Sequence, residues 1–326
     1  MQEIIIGQND GGQRVDRFLA KAFPSLPQAL LYKYIRLKRV KVNGKRTELS
    51  YRLAVGDALQ LYINDELLAA PQEDEAWRRA SPEVSIVYED AHILVADKPA
   101  GLLCHEDESE GVNTLVNRIK AYLHQSGDWS PEDERSFAPA LCHRIDRNTS
   151  GLVLAAKSAE GLRVMNGLIR ERQVDKRYLC LVHGRPRPQS ATLTGYIRRD
   201  KSAKQVTVLD KPGPGALTAV TEYRVLDSRR LPTGGWVSLT ECILHTGRTH
   251  QIRAQMAHAG HPLAGDTKYG TAALNDALPF RHQALHATSL TLGQHGDWGS
   301  LAYLRGKAFK AGKADFLPWL ENLPKK

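Results

Sequence analysis

Nine residues, His143-Arg144-Ile145-Asp146-Arg147-Asn148-Thr149-Ser150-Gly151, set one carboxylate between two arginines in a turn-forming stretch. The apolar run Leu152-Val153-Leu154-Ala155-Ala156 follows at once and predicts a strand. A carboxylate close to cations is held ionised, and an ionised carboxylate at a strand edge is a candidate nucleophile. The same residue types also build ordinary tight turns, because short polar side chains bond their own backbone. The flanking Arg144 and Arg147 favour chemistry over a bare turn, and cations around a nucleophile suit a polyanionic substrate such as RNA.

Two further residues could serve that carboxylate. Arg253 lies in Thr246-Gly247-Arg248-Thr249-His250-Gln251-Ile252-Arg253-Ala254-Gln255-Met256, a helical pattern with Ile252, Met256 and Ala259 on its buried face. Arg253 adjoins that face, so it needs a carboxylate partner if partly buried, and Asp146 is one candidate; a surface arginine is the alternative. Tyr178 starts the strand Tyr178-Leu179-Cys180-Leu181-Val182, with Tyr178, Cys180 and Val182 on one face. An aromatic ring beside Lys176-Arg177 could stack on a base, although a core tyrosine is the commoner use of this pattern. His245, His250, His258, His261, His282 and His286 match no zinc spacing, so no metal is expected. With neither G-x-x-x-x-G-K-[ST] nor G-x-G-x-x-G present, no nucleotide cofactor is expected.

These residues sit in a chain of 326 residues, enough for two domains. Its net charge of +9 is unevenly spread. Residues 1–63 carry 11 basic and 5 acidic side chains, residues 64–134 carry 5 and 17, and residues 135–304 carry 23 and 12. Two basic blocks and a basic end could line a polyanion while the acidic block faces elsewhere. No apolar run approaches the roughly 20 residues of a membrane span. No basic-then-apolar start marks a secretory signal. Cys104, Cys142, Cys180 and Cys242 lie far apart without C-x-x-C, as reduced thiols of a cytoplasmic protein do.

The elements that must position the site fall into two units. Residues 1–63 predict two helices, from Arg14 and from Gln28 to Lys38, and a small sheet with an Asn43-Gly44 hairpin turn. Lys33, Arg36, Lys38, Arg39, Lys41, Lys45 and Arg46 crowd its second helix and hairpin, a face that can track phosphates. Residues 64–83, acidic and with two prolines, read as a linker. Residues 84–304 predict strands at 86–88, 92–96, 152–156, 178–183, 217–226, 236–245 and 284–292, and helices at 114–124, 159–171 and 249–259. Strands outnumber helices without strict alternation, so the fold class is α+β, with a mixed, mainly antiparallel sheet preceded by a small α/β unit. Residues 305–326 read as a basic tail.

Together these motifs resemble the RluA family of RNA pseudouridine synthases. Asp97-Lys98-Pro99-Ala100-Gly101, His143 to Gly151, Lys176-Arg177-Tyr178, Thr246 to Arg253 with Gly260-His261-Pro262 and Gly265-Asp266, and Leu285-His286-Ala287 match its motifs in order. Residues 12–63 are similar to an S4-type RNA-binding module. The resemblance implies the pseudouridine synthase fold, with Asp146 as nucleophile, Tyr178 against the target base and Arg253 paired with Asp146. It implies that Arg144 fills the space left by an extruded base. Arg147, Arg248, Lys33, Arg36, Arg39 and Lys41 are then expected to contact RNA. Ile145 and Asn148 depart from the family's usual Leu and acid, and Gln28 from the polar-basic start common in S4 helices. The implied protein is a monomer needing no cofactor and acting on structured RNA, with large-subunit ribosomal RNA ahead of tRNA. A non-catalytic RNA-binding protein of the same fold is the alternative.

Overall fold

The computed structural model describes residues 1–68, 75–131, 134, 136–200, 205–276 and 278–325. In the N-terminal unit, β1 (Gln2–Ile5), β2 (Val40–Val42), β3 (Lys45–Arg46) and β4 (Ala58–Leu61) form a sheet of order β1-β4-β2-β3. Helices α1 (Val15–Ala22) and α2 (Gln28–Arg36) cover one face, burying Val15, Phe18, Leu19, Leu31 and Ile35 against Val40, Leu59 and Leu61. Asn43 and Gly44 both take positive φ, 52° and 73°, as a two-residue hairpin turn between β2 and β3 requires. The unit is tied to the rest of the chain at α4 (Ala159–Arg170). Asn9 Oδ1 accepts the Ala159 N–H at 2.9 Å, a donor left without a partner inside the helix's first turn, and Gln13 Nε2 donates to Ser136 Oγ at 2.7 Å.

The remaining described strands are β5 (Ile86–Glu89), β6 (Ile93–Lys98), β7 (Ala140–Leu141), β8 (Ser150–Ala156), β9 (Val174–His183), β10 (Ser190–Asp200), β11 (Gln205–Leu209), β12 (Ala216–Arg230), β13 (Trp236–Leu244), β14 (Leu285–Leu292) and β15 (Ala308–Lys310). They join one sheet of order β11-β10-β12-β13-β9-β14-β8-β6-β5, with β7 added to β8 and β15 to β14. Among the described strands every pairing is antiparallel except that of β8 with β14. Alternation splits the core: Leu152 and Leu154 of β8 face α4 and Trp298, whereas Val153 and Ala155 face α3 (Leu115–Ser126) and α5 (Gln251–His258). Both faces are covered, which is why β6 and β8 read as unbroken apolar runs.

Three expectations are corrected. Residues 305–325 are no loose tail: Phe309 of β15 packs beside Leu290, and Phe316, Leu320 and Leu323, around α6 (Leu317–Glu321), are buried against Leu181 and Val237. Their apolar spacing of four and three was legible beneath the lysines. The linker is shorter than 64–83, since Leu68 belongs to the N-terminal core and Trp77 stacks edge-on to His124 and Trp129 in the second domain's core. Its residues 69–74 lie outside those described. Finally, β1, β7, β10, β11 and β15 were not foreseen. β10 does alternate, with Ala191, Leu193 and Ile197 inward and Ser190, Thr192 and Thr194 exposed, but its inward residues are few and small, which makes the pattern faint.

Candidate active site

Asp146 stands on the turn between β7 and β8, and this turn is held from below. The buried Lys98 ammonium donates to the carbonyls of Pro99 (2.8 Å), Leu102 (2.7 Å) and Arg147 (2.9 Å), using all three protons to join two loops. Burial lowers its pKa to about 8, against the opposing pull of Cys104 and Asp146. Ile145 is buried, and its backbone meets the Cys104 thiol from both sides. Thr149 N–H closes the turn on the Asp146 carbonyl at 3.1 Å.

The strand that follows sets where the carboxylate looks. Gly151 pairs with Ala287 of β14, and Ala287 pairs in turn with Tyr178 of β9. Gly151, Ala287 and Tyr178 therefore form a line across three strands, and the turn before β8 overhangs the tyrosine. Gly151 has φ 105°, and a Cβ there would lie inside the Ala287 carbonyl, so only glycine allows this approach. Tyr178 is buried, and burial, followed by the nearby charge of Asp146, raises its phenol well above the ordinary value. It is a neutral ring at neutral pH.

Helix α5 lies on the same sheet face and supplies the arginine. Arg253 Nη1 donates to Asp146 Oδ2 at 2.9 Å, while Nε and Nη2 donate to Asp266 Oδ2 and Oδ1 at 2.7 and 3.0 Å. The guanidinium thus bridges a fully buried carboxylate and one that is a quarter exposed. Desolvation acts against the charge of Asp266, but the Arg253 hydrogen bonds, its charge, and the N–H groups of Lys268 and Tyr269 outweigh it and hold the carboxyl below its ordinary value. Gln251 through Met256 are all buried, unlike the one-sided face expected, and Ala259 is exposed. Gln251 and Gln255 are tolerated inside because they bond Thr221 and the carbonyls of Leu193, Ala219 and Val220.

The structure brings Asp146, Tyr178 and Arg253 together and separates the other candidates. Arg144 is exposed beside Asp146. Arg147 turns away, donating to the Gly101 carbonyl (3.1 Å) and Ser109 Oγ (3.2 Å), so Arg253 and not Arg147 is the carboxylate's close cation. Arg248 is exposed and donates to the Thr218 carbonyl at 3.0 Å. Lys33, Arg36 and Arg39 are exposed on the N-terminal unit; Arg39 lies over the Tyr34 ring and the half-buried Lys41 over Tyr62. Sequence reasoning passed over Lys98 and Asp266 as site components, although both lie within the quoted motifs.

Residues 92–258 match the sequence profile described as RNA pseudouridylate synthase, and residues 13–59 match the S4 domain. The chain is 30% identical over 314 residues to an uncharacterized RNA pseudouridine synthase of Mycoplasma pneumoniae, covering 96% of this chain and 94% of that one. It is 30% identical over 305 residues to the ribosomal large subunit pseudouridine synthase C of Salmonella typhimurium, covering 90% and 89%. Among solved structures, human RNA pseudouridylate synthase domain containing 1 superposes with a TM-score of 0.52 at 24% identity over 75% of this chain and 97% of that one, a likeness of fold.

Proposed function

This chain belongs to the RNA pseudouridylate synthase family and is an RNA pseudouridine synthase with an S4 domain, and from that premise we propose that it modifies large-subunit ribosomal RNA with Asp146 as nucleophile. The observation that carries the assignment is the Asp146 carboxylate, held by Arg253 at 2.9 Å beside the buried Tyr178 ring and still a quarter exposed. The ribosomal target is supported by the similarity to the ribosomal large subunit pseudouridine synthase C of Salmonella typhimurium and by the basic face of the S4 domain.

The reaction breaks the bond from C1′ to N1 of uracil, turns the base and joins C1′ to C5. A proton leaves C5 and one is gained at N1, so the composition of the RNA is unchanged. The target must leave its stack, which costs a few kcal/mol. In this reading the neutral Tyr178 ring receives the base and the exposed Arg144 occupies the vacated position. Cleavage develops positive charge on the sugar, which the Asp146 carboxylate stabilises or captures. Arg253 aims that carboxylate through a charge-assisted hydrogen bond. Arg248 and the S4 cations Lys33, Arg36, Arg39 and Lys41 hold phosphates and set position without reading sequence.

Two measurements test this. Pseudouridine mapping in RNA from cells lacking the protein should show loss at one or a few large-subunit positions; loss confined to tRNA would move the target, and no loss would remove the assignment. Asp146→Asn should lower turnover by about 10⁴-fold or more while RNA affinity stays within about twofold. Residual conversion near the wild-type rate would show that Asp146 is not the nucleophile.

A further inference from the structure

His250 opens α5 in a conformation side chains rarely take, with φ 53° and ψ 23°. Left-handed backbone is strained for a residue other than glycine. Such strain gathers where a side chain must be aimed. His250 does not use its side chain to cap the helix it opens. The ring instead turns into the site, where Nδ1 lies 2.9 Å from Tyr269 Oη and Nε2 lies 3.9 Å from Asp146 Oδ2.

The surrounding hydrogen bonds favour the tautomer with its proton on Nε2. Tyr269 Oη accepts the Val206 N–H at 3.0 Å, and its hydroxyl has one proton to give. His250 Nδ1 is the acceptor in reach, an arrangement that leaves the ring proton on Nε2, facing Asp146. Tyr269 also lies edge-on to the imidazole, with centroids 5.7 Å apart, and its ring carries the Arg253 guanidinium at 5.3 Å. One tyrosine therefore orients both side chains that approach Asp146 Oδ2. Among the described residues, the charged groups facing the imidazole are Asp146 on the turn before β8, Arg253 on α5, and Asp266 and Lys268 on the turn after it. Burial outweighs the pull of Asp146 and keeps the imidazole below its ordinary value, hence neutral.

We propose that His250 is a positioning residue of the reaction: its Nε2–H, fixed by Tyr269, holds Oδ2 of Asp146 together with Arg253 and leaves Oδ1 directed at the sugar. This rests on Asp146 being the nucleophile. A carboxylate held by one hydrogen bond can swing about it, and a second donor on the same oxygen fixes its plane. Among the described residues Oδ1 has no hydrogen-bond partner, as a free nucleophilic oxygen requires. The 3.9 Å separation is too long for a hydrogen bond, and contacts of this kind tighten when substrate binds.

The test uses the full-length protein and RNA from cells lacking it, labelled with tritium at C5 of uridine, because isomerisation releases that atom to water. His250→Asn keeps an acceptor for Tyr269 and accepts left-handed backbone more readily than most residues, but cannot reach Asp146. His250→Gln extends an amide N–H toward the position of Nε2. His250→Asn should lower kcat about 10²-fold with KM within about twofold, and His250→Gln should recover to within about tenfold of wild type. Tyr269→Phe should lower kcat in the wild-type background and have no further effect beside His250→Asn, because its hydroxyl acts through the ring. A His250→Asn enzyme with unchanged kcat, or equal losses for Asn and Gln with additive Tyr269→Phe, would overturn the inference. Turnover by Asp146→Asn, or none by wild type, would instead overturn the reading on which it rests.

Discussion

Replacing Asp266 by Asn separates the clamp on Arg253 from the chemistry at Asp146. Asp266 is fully buried and accepts four hydrogen bonds: Nε and Nη2 of Arg253, and the N–H groups of Lys268 and Tyr269. If the Asn amide oxygen keeps the two backbone donors, its NH₂ meets the Arg253 Nε–H where an acceptor stood at 2.7 Å. Removing one partner of a buried ion pair costs about 3–5 kcal/mol, and Asp146, which still neutralises part of the guanidinium charge, places this case near the low end, about 3 kcal/mol. For a domain of this size that is a fall in Tm of about 6–12 °C.

The pH dependence supplies a second check on the same substitution. The folded carboxyl of Asp266 titrates below its ordinary value, so its contribution is fully present above about pH 4 and is lost as pH falls through the folded value. The Tm gap between wild type and Asp266→Asn should therefore narrow as pH drops below about 4. Turnover should fall by about 10²-fold, because the arginine that aims Asp146 is no longer fixed. Differential scanning calorimetry across pH, with tritium release from C5-labelled RNA, checks both. A Tm within about 1 °C of wild type at neutral pH would refute the clamp.

Two other substitutions probe the frame and the RNA face. Gly151→Ala should cost about 3 kcal/mol or more, by denaturant unfolding, because it combines an unsuitable φ with a clash on the Ala287 carbonyl; a stable variant would show that β8 and β14 can separate freely. Replacing Lys33, Arg36, Arg39 and Lys41 together by Ala should reduce the log–log salt slope of RNA binding by as much as about 3, and an unchanged slope would remove those side chains from the interface.

Of the three residues that meet at the site, Asp146 was legible from its local pattern, whereas spacing offered Arg253 and Tyr178 only as candidates and the family resemblance gave them their roles. Asp146 stood between cations in a turn, Arg253 adjoined the apolar positions of a helix, and Tyr178 began a strand. What positions them was less legible. Helix α5 shows little one-sidedness because every side from Gln251 to Met256 is buried, and its glutamines are satisfied by sheet carbonyls that no sequence pattern announces. Asp266 entered only as part of a matched motif, and its partnership with Arg253 across 13 residues depends on tertiary packing. The C-terminal lysines drew attention from Phe309, Phe316, Leu320 and Leu323, which anchor that segment in the core. The mainly antiparallel sheet followed from strand count, but the parallel pairing of β8 with β14 beneath the active site did not.

That contact also explains how one guanidinium can serve two carboxylates with different fates. Asp266 lies in a turn closed beneath α5, with both oxygens hydrogen-bonded and no exposure. Its charge is committed to holding Arg253. Asp146 lies on a turn carried over Tyr178 by the close passage of Gly151 against Ala287, and it shares only one oxygen with the arginine. The same cation therefore fixes the buried acid and orients the exposed one. Gly151 is the residue that permits the approach of β8 to β14 that carries this turn.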